Sequence, residues 1–147
     1  MKRSGRISYH VCRLLLGGAF AWAGAIKALD VTAFAGQIAA YQLLPYAWNY
    51  ALAAMLPYVE LLAGVLLLVN FRVRAAALLT ALLNGVFIVV LLSVVARGLD
   101  IDCGCFGPDA GTTPLQAIGR DLVLLALAVA VYRQHPRYAG AVTPAAS

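Results

Sequence analysis

Four long apolar runs, separated by short polar or basic segments, dominate the chain. They cover residues 11–29, 50–71, 75–95 and 115–132. An α-helix needs about 20 apolar residues to cross a bilayer, and each run is close to that length. The pattern therefore predicts an all-α integral membrane protein, folded as one four-helix bundle over residues 1–135. We expect residues 136–147 to form a flexible cytoplasmic tail.

The segment between the first two runs, residues 30–48, mixes polar and apolar side chains. Its apolar residues recur at helical spacing, which predicts a short helix lying in the membrane interface; they are Phe34, Ile38, Tyr41 and Leu44. Aromatic residues then gather at the start of the second run, as they do at headgroup level: Tyr41, Tyr46, Trp48, Tyr50 and Tyr58. We expect this end of the bundle to lie at a membrane surface.

Composition supports the membrane class. Hydrophobic residues make up 63% of the chain, charged residues 12%, and the mean hydropathy is +0.87. These values exclude an ordinary soluble domain. The net charge of +5 comes from Lys and Arg at the edges of the apolar runs, where orientation signals lie, so we expect a lipid bilayer and no nucleic acid as partner.

The distribution of Lys and Arg also predicts orientation, because cytoplasmic loops retain these residues. The amino-terminal head, the Arg72/Arg74 turn and the Arg133/Arg137 end are basic and fall on one side of a four-span arrangement. The other side holds Asp30 and the acidic loop 97–113. We expect a multi-pass protein of the bacterial inner (plasma) membrane, with both termini cytoplasmic and the loop periplasmic or extracellular.

A cleaved signal peptide is the alternative interpretation of the first run. The head is basic, and Ala23-Gly24-Ala25 resembles a cleavage site. Arg13, however, interrupts the apolar stretch, and loss of this run would leave three spans and disturb the charge asymmetry. We expect the first span to be retained.

Redox chemistry is the leading functional question, because Cys103 and Cys105 flank Gly104 in the loop between the last two runs. Gly104 permits the bend that a disulfide requires. A bridge across one glycine stabilises almost nothing, and its strain favours exchange. Nearby acidic residues disfavour the thiolate and slow its attack. We predict Cys103 and Cys105 as catalytic residues, with a static disulfide or two free thiols as the alternative.

A metal site is not expected, because zinc needs about four nitrogen or sulfur ligands. The other candidate ligands, His10, His135 and Cys12, fall on the opposite predicted side of the membrane. Cys12 has the character of a small apolar core residue. We expect no covalently bound cofactor.

Polar residues inside the apolar runs need an explanation, because a charge in hydrocarbon costs at least about 2.5 kcal/mol. They are Lys27, Glu60, Asn84, Arg120 and Asp121. In one interpretation Lys27 and Arg120 reach the surface while Glu60 and Asn84 make structural interhelical bonds. In the other, Lys27, Glu60, Arg120 and Asp121 form an ion-pair cluster around a pocket for a quinone or for a proton relay.

Local signals add detail to these helices. Pro57, just before Glu60, frees a backbone carbonyl inside its helix. Four glycines permit close helix contacts: Gly17, Gly18, Gly24 and Gly64. Thr112 or Thr113 is expected to cap the fourth helix, with Pro114 in its first turn.

Several short elements within residues 10–132 together resemble a known family. They are Gly24-x-x-Lys27, Phe34, Ile38, Tyr41, Leu43-Leu44-Pro45, Pro57-x-x-Glu60, Gly64, Cys103-Gly104-Cys105-Phe106-Gly107 and Arg120-Asp121. This set resembles the MauE/DoxX redox-associated membrane proteins, and the cysteine element is closest to the methylamine utilisation branch, MauE. The resemblance implies a four-helix membrane protein associated with disulfide metabolism in the cell envelope. In methylamine-utilising bacteria, MauE works with a thioredoxin-like partner in maturing the disulfide-rich small subunit of methylamine dehydrogenase, but that substrate does not carry over to this chain.

The layout is also similar to the quinone-linked disulfide generators DsbB and vitamin K epoxide reductase, which carry a second external cysteine pair that this chain lacks. The preferred hypothesis is a thiol oxidoreductase that exchanges electrons with a thioredoxin-fold or secreted envelope protein, with a quinone as possible acceptor. The alternative is a non-enzymatic assembly factor whose cysteine loop docks a partner. A small transporter is disfavoured, because no broken-helix pattern repeats in two halves.

Overall fold

The computed structural model describes residues 2–99 and 113–139, which form five α-helices without a strand. These are α1 (Lys2–Leu29), α2 (Val31–Ala40), α3 (Tyr46–Leu68), α4 (Val73–Ala96) and α5 (Pro114–Ala139). All except α2 are long and apolar enough to cross a membrane. The predicted fold class, with four apolar helices and a short helix after the first, is confirmed.

All four long helices extend beyond their apolar runs at one end or both, and α1 and α5 extend furthest. α1 begins at Lys2, so the basic head continues the first run as one helix. α5 passes through Pro136 and ends at Ala139. A proline so close to the helix end removes a single backbone bond. Residues 136–139 of the predicted tail are therefore helical, and the rest of that tail lies outside the described residues.

The bundle consists of two helix pairs. α1 packs most extensively against α3, and α4 against α5, while α1 also contacts α5 and α2 covers part of α3. Fully buried side chains fill one end of the bundle: Leu16, Leu67, Val73, Ala128 and Val131, with Cys12 packed against them as expected. Leu91 and Ala117 form a smaller apolar cluster towards the other end. A polar layer lies between these two clusters.

Glycines bring the backbones of α1 and α3 into direct contact. A Cβ atom added to Gly24 would lie 2.6 Å from the Leu61 amide nitrogen and 2.7 Å from the Pro57 carbonyl oxygen. One added to Gly64 would lie 2.7 Å from the carbonyl oxygen of Gly17. These distances are too short for a real Cβ atom, so the helices approach this closely only because those positions are glycine. The expectation of a close helix contact was wrong for Gly18, because a Cβ atom added there would meet no neighbouring atom within 4 Å.

Side chains satisfy the free backbone groups at two helix ends. Thr113 Oγ1 accepts from the Gln116 amide (3.4 Å), and Gln116 Oε1 accepts from the Thr113 amide (3.3 Å). This reciprocal capping box starts α5 and bears out the expected threonine cap before Pro114. Arg13, which is buried, donates to the Leu67 and Leu68 carbonyls (2.5 and 3.4 Å) that end α3. The charge that interrupts the first apolar run therefore caps a neighbouring helix.

Substitution of Gly24 by Ala should destabilise the bundle, because the new methyl group would force α1 and α3 apart. We expect a loss of about 1–3 kcal/mol, the usual cost of overpacking. Gly18→Ala is the matched control, since its Cβ enters open space and alanine is the better helix former. Thermal unfolding in one detergent measures both. Equal midpoints for the two variants would contradict the close approach.

Candidate functional site

Lys27 and Glu60 form a buried ion pair that joins α1 to α3. The Lys27 Nζ atom lies 3.0 and 2.9 Å from the two carboxylate oxygens of Glu60. The exposed fractions of the two side chains are 5% and 2%. The lysine therefore turns into the bundle towards the carboxylate and does not extend to the surface. Each charge compensates the other in this enclosed position, because either charge alone would be costly in an apolar interior.

Two aromatic rings complete the surroundings of the Lys27 ammonium. Its Nζ atom lies 5.1 Å from the centroid of the Phe34 ring and 5.0 Å from that of the Phe87 ring, both within cation–π range. Phe34 belongs to α2, whose first turn is capped by the Asp30 carboxylate accepting from the Ala33 amide (2.9 Å). One ammonium group on α1 thus contacts α2, α3 and α4.

A second ion pair lies on α5, between neighbouring residues. Arg120 donates from Nε (3.0 Å) and from its NH2 nitrogen (2.8 Å) to the same atom, Asp121 Oδ1. Asp121 is buried, whereas Arg120 is 25% exposed on its side chain. Arg120 and Asp121 are close enough to Glu60 to act on it electrostatically. The two ion pairs therefore form one charged cluster.

The charged cluster surrounds a small cavity between the two helix pairs. Asn84 from α4 also lines it, together with apolar side chains of Phe20, Phe87 and Leu124. Its volume is about 30 Å³. A water molecule needs roughly 10–15 Å³ of such volume, so the cavity has room for one or two waters. The quinone expected near Lys27, Glu60 and Arg120 stays a prediction.

The structure thus brings together the polar residues that the sequence singled out: Lys27, Glu60, Asn84, Arg120 and Asp121. The predicted catalytic residues Cys103 and Cys105 lie outside the described residues. Phe87 was not recognised from the sequence, although it follows Asn84 by three residues and so shares its helix face. The ring contact of Phe34 with Lys27 was not predicted either, because helical spacing places Phe34 on a face of α2 without showing which residue of α1 it meets.

The helix α2 is fixed over the same end of the bundle from which the cysteine loop departs. The guanidinium of Arg97, just after α4, donates to the backbone carbonyl of Tyr41 at the end of α2. Tyr41 is buried, so its assignment to the aromatic belt was wrong: it packs inside at the turn after α2. The other four belt residues are exposed, as expected: Tyr46, Trp48, Tyr50 and Tyr58.

Substitution of Lys27 by Met should destabilise the protein by about 3–5 kcal/mol, because it leaves the Glu60 carboxylate buried without its partner. The double variant Lys27→Met/Glu60→Met should recover much of this loss, since no uncompensated charge remains. The control is Arg74→Met, which removes an exposed cation that stacks on Tyr132 and should cost less than about 1 kcal/mol. Reversible unfolding in mixed micelles measures all three. A double variant no more stable than Lys27→Met would contradict this account.

Comparison with known proteins gives one match. The family model described as "Methylamine utilisation protein MauE" matches residues 5–133, most of the chain. No curated protein and no solved structure gives a match. The matched range covers most or all of each membrane-length helix that the structure describes, and it includes both halves of the charged cluster. The chain therefore belongs to the MauE family of membrane proteins.

Proposed function

We propose that this chain is a membrane thiol–disulfide redox protein that acts in the maturation of envelope proteins, within methylamine utilisation as its family description suggests. One observation carries the proposal: Cys103-Gly104-Cys105 occupies the segment between α4 and α5 of a MauE-family chain. Two thiols separated by one glycine are suited to exchange, because a bridge between them is easily opened.

The chemistry is exchange with a protein disulfide. The thiolate of one cysteine attacks a sulfur of the partner's disulfide, whose S–S bond breaks as the mixed disulfide forms. The released partner thiolate takes up a proton. The second cysteine loses its proton and attacks the mixed disulfide, which forms the Cys103–Cys105 bridge and releases the second partner thiol. The pair is oxidised by two electrons and the partner is reduced by two; the reverse sequence oxidises a partner dithiol.

The described helices supply fixed ends for this loop. Arg97 ties the end of α4 to Tyr41 of α2, and the Thr113–Gln116 capping box fixes the start of α5. These contacts fix the two described residues from which the cysteine segment starts and at which it ends. The partner is a thioredoxin-fold or disulfide-containing envelope protein, which meets the loop on the outer side of the membrane.

Substitution of Cys103 or Cys105 by Ser should trap a mixed disulfide with the partner, because the resolving thiol is missing. We expect one of the two single variants to accumulate an adduct that non-reducing electrophoresis of whole membranes detects and a reductant removes. Cys12→Ser is the control, since Cys12 is partly buried in the bundle core and should not change the adduct.

The double variant Cys103→Ser/Cys105→Ser separates redox chemistry from simple docking. It should abolish both the adduct and the maturation of the partner's disulfides. If this variant keeps full partner maturation, the chain is instead a non-enzymatic assembly factor whose loop binds a partner without exchanging electrons.

The proposed orientation also predicts which thiols a reagent can reach. After mild reduction of intact cells, a membrane-impermeant maleimide should label Cys103 and Cys105 but not Cys12. Permeabilised cells show whether Cys12 reacts at all. Labelling of Cys103 and Cys105 only after permeabilisation would show that the loop faces the cytoplasm, where it cannot reach an envelope partner.

A further inference from the structure

Two buried polar atoms of residues that line the cavity have no hydrogen-bond partner in the described part of the chain. They are Asn84 Nδ2 and Asp121 Oδ2, and the exposed fractions of their residues are 2% and 3%. Both residues line the same space between the helix pairs. An unpaired donor or acceptor in an apolar interior costs about 1–3 kcal/mol. We therefore expect the cavity to hold a molecule that forms hydrogen bonds with both atoms.

The charges around the cavity select a neutral occupant. Lys27 and Arg120 supply two positive charges, and Glu60 and Asp121 supply two negative charges, so the cluster sums to zero. Water adds no charge to this balance, whereas a proton taken up by one carboxylate leaves the cluster with one positive charge, so proton uptake is expected only on acidification. Water accepts a hydrogen bond from the Asn84 amide and donates one to the Asp121 carboxylate. The cavity volume of about 30 Å³ admits one or two such molecules.

The hydrogen-bond geometry distinguishes the two carboxylates. Both Glu60 oxygens accept from Lys27, so a proton on Glu60 would replace one of these bonds. Asp121 accepts both Arg120 bonds on Oδ1, and its Oδ2 has no hydrogen-bond partner among the described residues. A proton on Oδ2 keeps the Arg120 contact intact. Asp121 is therefore the carboxylate that binds a proton at the lower cost in broken hydrogen bonds.

All five described helices place side chains around the cavity or against its charged groups. α1 contributes Lys27, α3 contributes Glu60, and α5 contributes Arg120 beside Asp121 itself. α4 contributes Asn84 and Phe87, neither of which titrates, and α2 places Phe34 against Lys27. We propose that the cavity is a hydrated proton-binding site, in which water held by Asn84 reaches Asp121 and Asp121 Oδ2 takes up and releases the proton. This site does not depend on the cysteine chemistry.

Infrared difference spectroscopy of the full chain in lipid nanodiscs tests which group binds the proton. Glu60 is the only glutamate in the sequence, so ¹³C-labelled glutamate reports on that residue alone. On acidification we expect a buried carboxylic acid C=O band that shifts with ¹³C-aspartate and in D₂O but not with ¹³C-glutamate. A band that shifts with labelled glutamate, or no such band while the protein stays folded, overturns the proposal.

Substitution assigns the band to one aspartate. Asp121→Asn should abolish it, whereas Asp30→Asn should keep it, because Asp30 is an exposed cap at the start of α2. Retention of the band in Asp121→Asn overturns the proposal. Should Asp121→Asn fail to fold, the isotope experiment on the unaltered protein still decides between Asp and Glu60.

The water is tested by an isotope shift of its own. A hydrogen-bonded O–H band that moves in H₂¹⁸O should accompany the carboxyl change. It should be lost in Asn84→Leu and in Leu124→Phe, which both fill the cavity. Asn49→Leu is the control, since Asn49 is also buried with an unpaired Oδ1 but does not line this cavity. A water band that survives in both cavity-filling variants overturns the proposal.

Discussion

The buried ion pair between Lys27 and Glu60 is the interaction on which the arrangement of the helices depends. An isolated charge in hydrocarbon costs at least about 2.5 kcal/mol, so α1 and α3 are stable together only in the register that pairs these two groups. The glycine contacts favour the same register of α1 and α3. Gly24 lies one helical turn before Lys27, and its contact with Pro57 and Leu61 sets the helix separation at which Nζ reaches both carboxylate oxygens.

The Arg120–Asp121 ion pair lies where the two helix pairs meet, and the charged cluster contains residues from both helix pairs. Lys27 and Glu60 come from one pair of helices, Arg120, Asp121 and Asn84 from the other. The Phe87 ring crosses this boundary to contact the ammonium of Lys27. Each pair of charges is neutral by itself, so the two halves can pack without a net charge at their interface. The polar layer is thereby compatible with apolar clusters on both sides.

The sequence predicted those features that depend on residue type along one helix. Apolar run length predicted the four long helices, a threonine before Pro114 predicted a capped start, and charge in an apolar run marked Lys27, Glu60 and Asp121. Features that depend on helix rotation were not predictable, because runs so uniformly apolar have no preferred face. Gly17 and Gly18 look equivalent in sequence, and only packing shows that Gly17 contacts α3. The inward position of Tyr41 depends likewise on its tertiary contacts.

The chemistry proposed for the cysteine loop is separable from the chemistry proposed for the charged cluster. Thr113, which caps the start of α5, precedes Asp121 by eight residues, or about 12 Å of helix. Exchange between thiols and a protein disulfide needs no proton from that depth, because each thiolate that attacks is balanced by one that is released and protonated. A proton held at Asp121 would take part in the overall reaction only if the cysteine pair passed its electrons to an acceptor that is not a disulfide. The charged cluster therefore supports the fold, and the proton binding proposed for it does not depend on electron exchange at the loop.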